Sequence, residues 1–247
     1  MRVVGVFSIK GGVGKTTTAV NLAYLASRSH KRSLIWDLDP QAASTYYFRV
    51  KPKVRGGIAK LLARREVDGR IKGTDYELLD ILPADQSYRN LDLLLDELEQ
   101  PKKGLAHVLQ PLASEYEYVF LDCPPSLSLL SENIFRAAEI LVVPVIPAPL
   151  SLRTLEQLDQ FLAKSRLKVQ VMPFFSMVDR RKKLHLETVD QLRKERGDLL
   201  KAEIPYASVV EQMSVRRQPL ASFARWTDAS ESYERLWREV RRRLGKK

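Results

Sequence analysis

The sequence predicts an α/β fold: a doubly wound, mostly parallel sheet with helices on both faces. Three observations carry this expectation. Short apolar runs alternate along the chain with helix-compatible stretches, the pattern of repeated βαβ units. Several of those runs are apolar at nearly every position instead of every second one, as parallel strands covered on both faces require. The first run leads straight into a glycine-rich loop and then a helix-compatible stretch, a context in which backbone N–H groups at a helix N-terminus collect phosphate oxygens.

Taken in order, the strand candidates are Val3 to Ile9, Ser33 to Asp37, Leu78 to Leu82, Tyr118 to Asp122, Ile140 to Val145 and Val169 to Phe175. Thr18 to Ser27 suits a helix directly after the loop at Lys10 to Thr17. The basic stretch from Arg49 to Gly73 carries Gly56 and Gly57 and offers one short helix at Ile58 to Ala63. Near the other end, Tyr233, Leu236, Trp237, Val240 and Leu244 recur at helical spacing, so Asp228 to Leu244 is expected to be an amphipathic helix. No internal repeat or low-complexity tract divides the chain, and 247 residues suit one α/β domain, so residues 1–247 are read as a single domain. Ligands of doubly wound sheets sit beyond the carboxyl ends of the strands. That points to Lys10 to Thr17, Asp37 to Gln41, Asp122 to Ser126 and Pro144 to Pro149.

Composition narrows the function classes. One cysteine, Cys123, cannot make an internal disulfide or a cysteine metal cluster, and three histidines do not suggest a histidine-rich metal site. The apolar run before Lys10 is too short for a signal peptide or a membrane span, which leads to a cytoplasmic expectation. A net charge of +11 and a pI near 9.7 predict a positive field able to attract nucleic acid or anionic lipid, or simply a solvated basic surface.

The loop reads Lys10-Gly11-Gly12-Val13-Gly14-Lys15-Thr16-Thr17. Its glycines let backbone N–H groups converge on phosphate oxygens, Lys15 adds a point charge, and the Thr16 hydroxyl can ligate Mg²⁺ at the helix N-terminus. Ile9 stands where the first glycine of the standard G-x-x-x-x-G-K-[ST] pattern belongs, and an additional lysine, Lys10, follows it. The second strand ends in Trp36-Asp37-Leu38-Asp39-Pro40-Gln41, where extended-chain alternation puts Asp37 and Asp39 on one side. Two carboxylates there can divide Mg²⁺ coordination and the orienting of an attacking water. A third, Asp122, ends the apolar run Tyr118 to Leu121, where a buried carboxylate needs a positive partner that hydrated Mg²⁺ would supply.

These motifs resemble those of the ParA/MinD family of deviant-Walker P-loop NTPases, whose loop has the form K-G-G-x-G-K-[ST]-[ST]; residues 10–17 match it in full. The resemblance implies ATP and Mg²⁺ as cofactors, ATP hydrolysis, and a homodimer with ATP sandwiched between subunits, in which Lys10 reaches the phosphates held by the partner. D-x-D-P-Q looks like the second motif of the family, which assigns water positioning to Asp39 and leaves Asp37 near the Mg²⁺ shell; Asp122 then occupies the Walker B position. Ile204-Pro205-Tyr206-Ala207-Ser208, with Pro219 further on, resembles the base-binding loop, in which Pro205 and Ala207 line the adenine. An asparagine is frequent in the family at the position of Ala207, so only backbone contact with the base is expected there. There is no room before the loop for a separate helix-turn-helix domain, so transcriptional autoregulation is not expected.

Two surfaces compete for the ATP-bound dimer. For non-specific DNA, Arg180, Arg181, Lys182 and Lys183 follow the strand run that ends near Val178, and Arg216 and Arg217 lie close to the base-binding loop. The resemblance places Arg181 where ParA-like chains carry a DNA-contacting arginine, while Tyr206 and Val209 replace the arginines of a second such stretch. For membrane, the apolar stripe and basic face of Leu236 to Leu244 read as an interfacial helix of MinD type, or equally as a helix packed on the domain. The D-x-D-P-Q form is nearer to ParA, so the expectation is a nucleoid-associated partitioning or positioning ATPase whose slow hydrolysis is stimulated by a ParB-like or other adaptor. A metabolic ATP-dependent enzyme on the same fold is the third class.

Overall fold

The computed structural model describes residues 1–64, 67 and 69–245. β1 (Arg2–Val6) runs into the glycine-rich loop and α1 (Lys15–Ser27), followed by β2 (Ser33–Asp37), the short α2 (Ala43–Tyr47) and α3 (Gly57–Arg64). Next come β3 (Lys72–Gly73), β4 (Leu79–Leu82), α4 (Leu91–Asp96), α5 (Gly104–Leu109), β5 (Tyr118–Asp122) and α6 (Leu129–Ala137). The chain continues through β6 (Ile140–Val145), α7 (Pro149–Lys164), β7 (Gln170–Val178), α8 (Lys183–Glu195) and β8 (Glu203–Pro205). It closes with α9 (Ser208–Arg216), α10 (Leu220–Phe223) and α11 (Asp228–Leu244).

These strands form an eight-stranded sheet in the order β3-β4-β2-β5-β1-β6-β7-β8, with β3 antiparallel to β4 and the other pairs parallel. Strand alternation explains why both faces are apolar. Val3, Leu34, Trp36, Val119 and Leu121 face a core shared with α4 to α7. Val4, Val6, Ile35, Tyr118 and Phe120 face the opposite core, closed by α1 and α11. The parallel register sets Val6 beside Asp122 and Asp122 beside Asp37, so three neighbouring strands end at one level.

β2, β5, β6 and α11 have the predicted bounds. β1 ends at Val6, before the expected Ile9, because the chain leaves the strand there to form the loop, and β7 continues past Phe175 to Val178 through the buried Ser176. β3 and β8 are strands the apolar pattern does not announce; β8 is an edge strand held by β7. In the basic stretch from Arg49 to Gly73, the short helix runs from Gly57 to Arg64, and residues 65, 66 and 68 lie outside the described residues.

Of the two readings of the last helix, the structure bears out the one in which it packs on the domain. The apolar stripe of α11 is spent on the protein core: Tyr233, Leu236, Trp237, Val240 and Leu244 are all buried. The Trp237 ring lies 5.1 Å from Tyr118 and 5.7 Å from Phe120, centroid to centroid. Helix α11 also covers the approach to β8, since the Glu239 carboxylate accepts hydrogen bonds from the backbone N–H groups of Lys201 and Ala202, both at 2.8 Å. Among the described residues, no helix is long and apolar enough to cross a membrane.

Candidate nucleotide-binding site

The loop after β1 closes by left-handed backbone at Gly12 (φ 71°) and Gly14 (φ 92°), a region that residues with a Cβ rarely occupy. Gly14 is also the residue just before α1, and a Cβ there would lie 3.1 Å from Ser176 Oγ. The following residue, Lys15, is 7% exposed, and its ammonium donates to the Lys10 carbonyl at 3.1 Å. Burial pulls the Lys15 pKa down, opposed by the nearby carboxylates of Asp122 and Asp39. Lys10 Nζ donates to Ser151 Oγ at 3.4 Å, in the first turn of α7, so the loop after β6 reaches the site as its strand-end position suggested.

Asp37 and Asp122 are fully buried at adjacent strand ends, and burial raises the pKa of both carboxyls, with Asp122 adding to the shift of Asp37. Their hydrogen bonds distinguish them. Asp37 Oδ2 accepts from the backbone N–H and hydroxyl of Thr45 at 2.8 and 2.7 Å, and Oδ1 accepts from the Asp39 N–H at 3.2 Å. Asp122 Oδ2 accepts from Ser44 Oγ at 2.7 Å, whereas Oδ1 is buried with no hydrogen-bond partner among the described residues, and the Thr16 hydroxyl lies near enough to favour the charged carboxylate. A buried carboxylate oxygen left this way is costly without a donor or a cation. The donor set of Thr16 hydroxyl and Asp122 oxygen therefore fits hydrated Mg²⁺, while Asp37 has both oxygens committed to the chain. Asp39, part-buried, accepts from the Gln41 N–H at 2.9 Å through Oδ1.

Around α1, Asn21 ties in place the segment expected to bind the base. Its amide donates to the Thr17 carbonyl and to Met213 of α9, and its Oδ1 accepts from the Leu220 N–H at 2.8 Å. Pro205 and Ala207 are half-buried at the start of that segment, Ala207 in extended backbone just before α9. Asn21, Ser44, Thr45 and Ser151 are absent from the sequence reading: Asn21, Ser44 and Ser151 act through partners distant along the chain, and Thr45 reaches Asp37, eight residues away, only because α2 folds back over the strand end.

The basic residues fall into two settings. Arg180, Arg181 and Lys183 have side chains 81%, 84% and 89% exposed, each beside a single carboxylate: Glu203, Asp179 and Glu187. The Arg181 guanidinium grips Asp179 through two hydrogen bonds and holds that carboxyl at about 2, well below the usual carboxylate range. Such exposed pairs contribute little to stability and open readily to another anion. Lys182 is exposed as well. Arg216 and Arg217 instead pack on aromatic rings: Arg216 over Phe223 at 4.9 Å, and Arg217 over Tyr46 at 4.3 Å while donating to the Tyr46 carbonyl at 2.9 Å. Arg180 also lines a cleft of about 490 Å³ with Lys201 and Arg235, and Arg238 and Arg242 continue the basic surface along the outer side of α11. The sequence reading weighs a lipid-facing role for Arg238 and Arg242 and favours DNA as the surface.

Comparison with known proteins extends the likeness over the chain. A family model described as AAA domain matches residues 1–172. A chromosome partitioning protein ParA from Caulobacter vibrioides is 31% identical over 252 residues, covering 97% of this chain and 94% of that protein. A putative plasmid partition protein from Borrelia burgdorferi, solved bound to AMPPNP, superposes with TM-score 0.86 at 23% identity, over 98% of this chain and 99% of the other. A cobyrinic acid a,c-diamide synthase from Mycobacterium smegmatis, solved with an ATP analogue and magnesium, gives TM-score 0.82 at 22% identity over 100% and 96%, a likeness of fold alone.

Proposed function

We propose a function from one premise: the chain belongs to the ParA/MinD family of deviant-Walker P-loop ATPases. It is a partitioning or positioning ATPase that binds ATP, dimerises around it, rides on non-specific DNA and leaves the DNA after hydrolysis. The observation that carries this reading is the convergence, at one level of the sheet, of the complete Lys10 to Thr17 loop with the uncommitted Asp122 oxygen and with Asp39.

In this reading the loop N–H groups and Lys15 hold the phosphates, and Pro205 and Ala207 flank the adenine. Thr16 and Asp122 hold Mg²⁺, which neutralises charge on the phosphate oxygens. Asp37 braces the turn that carries Asp39, and Asp39 orients the water. Lys10 leaves Ser151 for the partner's phosphates when two copies meet. Asp39→Ala is expected to slow hydrolysis by about 100-fold or more, on the scale of general-base loss. Size-exclusion chromatography with ATP should then show a persistent dimer; wild-type turnover in the variant would remove Asp39 from this role.

DNA is favoured over lipid because α11 buries its apolar stripe and turns its arginines outward. The surface runs from Arg180, Arg181, Lys182 and Lys183 toward Arg235, Arg238 and Arg242, with Arg216 and Arg217 near the base-binding segment. The natural setting is then the nucleoid in the cytoplasm, with a ParB-like or other adaptor protein stimulating turnover. The test is binding to non-specific duplex DNA with ATP, with ADP and without nucleotide at two salt concentrations. Binding should require ATP and weaken with salt. Arg181→Glu should weaken it about 10-fold with ATP affinity unchanged; DNA binding indifferent to ATP, or absent in every state, would overturn the carrier role.

A further inference from the structure

Ser44 and Thr45 are consecutive residues of α2, yet they meet different buried carboxylates on different strands. The turn before the helix explains how. Asp39 receives the Gln41 N–H on its side chain and the Ala42 N–H on its carbonyl, at 2.9 and 2.8 Å, and Ala42 takes left-handed backbone at φ 55°. That folds α2 back across the strand ends. Because β2 and β5 run parallel with Asp37 beside Asp122, neighbouring helix residues reach neighbouring carboxylates. Thr45 donates twice to Asp37 Oδ2, and Ser44 Oγ donates once to Asp122 Oδ2.

The two outcomes differ. Asp37 has both oxygens engaged and serves as scaffold. Asp122 has one oxygen held by Ser44 and one without a hydrogen-bond partner among the described residues, with the Thr16 hydroxyl close by. The terminal torsion of an aspartate lies in a broad, nearly two-fold well, so a partner on one oxygen does much to decide where the other points. Ser44 is 0% exposed, so its hydroxyl is shielded from solvent at the bond it makes to Asp122.

We propose that Ser44 is a positioning residue for Asp122: its hydroxyl holds Oδ2 and thereby presents Oδ1 to the Mg²⁺ that accompanies the nucleotide. This rests on the Mg²⁺ reading of the site given above. In this reading Ser44 acts through Asp122 and is not itself a ligand, so its removal is expected to lower metal affinity and to spare nucleotide binding in the absence of metal. The hydroxyl is specific to this one carboxylate, and its effect vanishes when Asp122 can no longer act as an anionic ligand.

The experiment titrates Mg²⁺ against binding of a fluorescent ATP analogue to the full chain, comparing wild type, Ser44→Ala, Asp122→Asn and the double variant. Binding of the analogue in EDTA and thermal melts verify that each variant is folded. Ser44→Ala is expected to raise the Mg²⁺ half-saturation about 10-fold, the scale of one hydrogen bond to a charged group, with EDTA affinity within about twofold of wild type. On the Asp122→Asn background the same change should add less than about twofold. A Ser44→Ala titration superimposable on wild type, beside a shifted Asp122→Asn, overturns the proposal and leaves the Mg²⁺ reading standing. An equal further shift in the double variant also overturns it, since Ser44 would then act independently of Asp122. No shift in Asp122→Asn itself brings down the Mg²⁺ reading and the proposal together.

Discussion

Lys15→Ala is expected to lower ATP turnover about 100- to 1,000-fold, the cost of losing one preorganised electrostatic stabiliser of developing charge. Nucleotide binding should fall with it, because the loss is more than one ion pair. Lys15 is buried and sits among Asp122, Asp39 and the loop carbonyl of Lys10. Without its charge, the incoming phosphates meet those carboxylates with no lysine of their own subunit to offset them, only the loop N–H groups and the Mg²⁺ of the proposed site. Lys15→Arg should not restore activity, since a planar guanidinium does not replace a compact ammonium at a buried position. Equilibrium binding of a fluorescent ATP analogue and single-turnover hydrolysis check both statements; near-normal affinity in Lys15→Ala would mean that the loop does not bind phosphate through this residue.

The second large effect is on stability. Trp237→Ala should destabilise the fold by about 3–5 kcal/mol, as large-to-small changes of buried aromatics do. For a chain of this size that is a fall in Tm of roughly 6–20 °C. The cause is local: Trp237 is 4% exposed and wedged against Tyr118 and Phe120 of β5, the strand that ends in Asp122. Its indole N–H finds no acceptor among the described residues, so Trp237→Phe forfeits no hydrogen bond and should be much milder. Thermal melts of both variants, run beside sedimentation with anionic vesicles, separate this from a lipid-binding helix. A truncation that leaves the melt unchanged and abolishes vesicle binding would restore the membrane reading.

What could be read without a structure was the chemistry carried by consecutive residues. Lys10 to Thr17 declares itself in eight adjacent positions, and Asp37 and Asp122 stand out because each ends an apolar run. The ends of β2, β5 and β6 were legible for the same reason: a carboxylate or a change to proline-rich sequence stops the run. β8 was not, since Glu203-Ile204-Pro205 has no pattern of its own and becomes a strand by pairing with β7. The braces of the site were hidden for a different reason. Ser44 lies 78 residues from Asp122, and Ser151 lies 141 residues from Lys10. A serine in a short helix looks like a turn or a cap until the partner strand is placed beside it. α11 was read correctly as amphipathic, but periodicity alone does not distinguish a stripe that meets lipid from one that meets its own sheet.

The placement of α11 also governs when the protein can first work. Its buried face closes the core against α1, the helix that begins with Lys15, although the two are separated by nearly the whole sequence. On a ribosome adding about 5–20 residues per second, the phosphate loop emerges on the order of 10–40 s before the helix that completes its support. Through that interval Ala19, Leu22, Ala23 and Ala26 lack part of their cover, and the nascent chain displays apolar surface of the kind chaperones hold. An interrupted chain would carry every residue of the loop without the helix that covers α1, so nucleotide binding is expected of finished molecules.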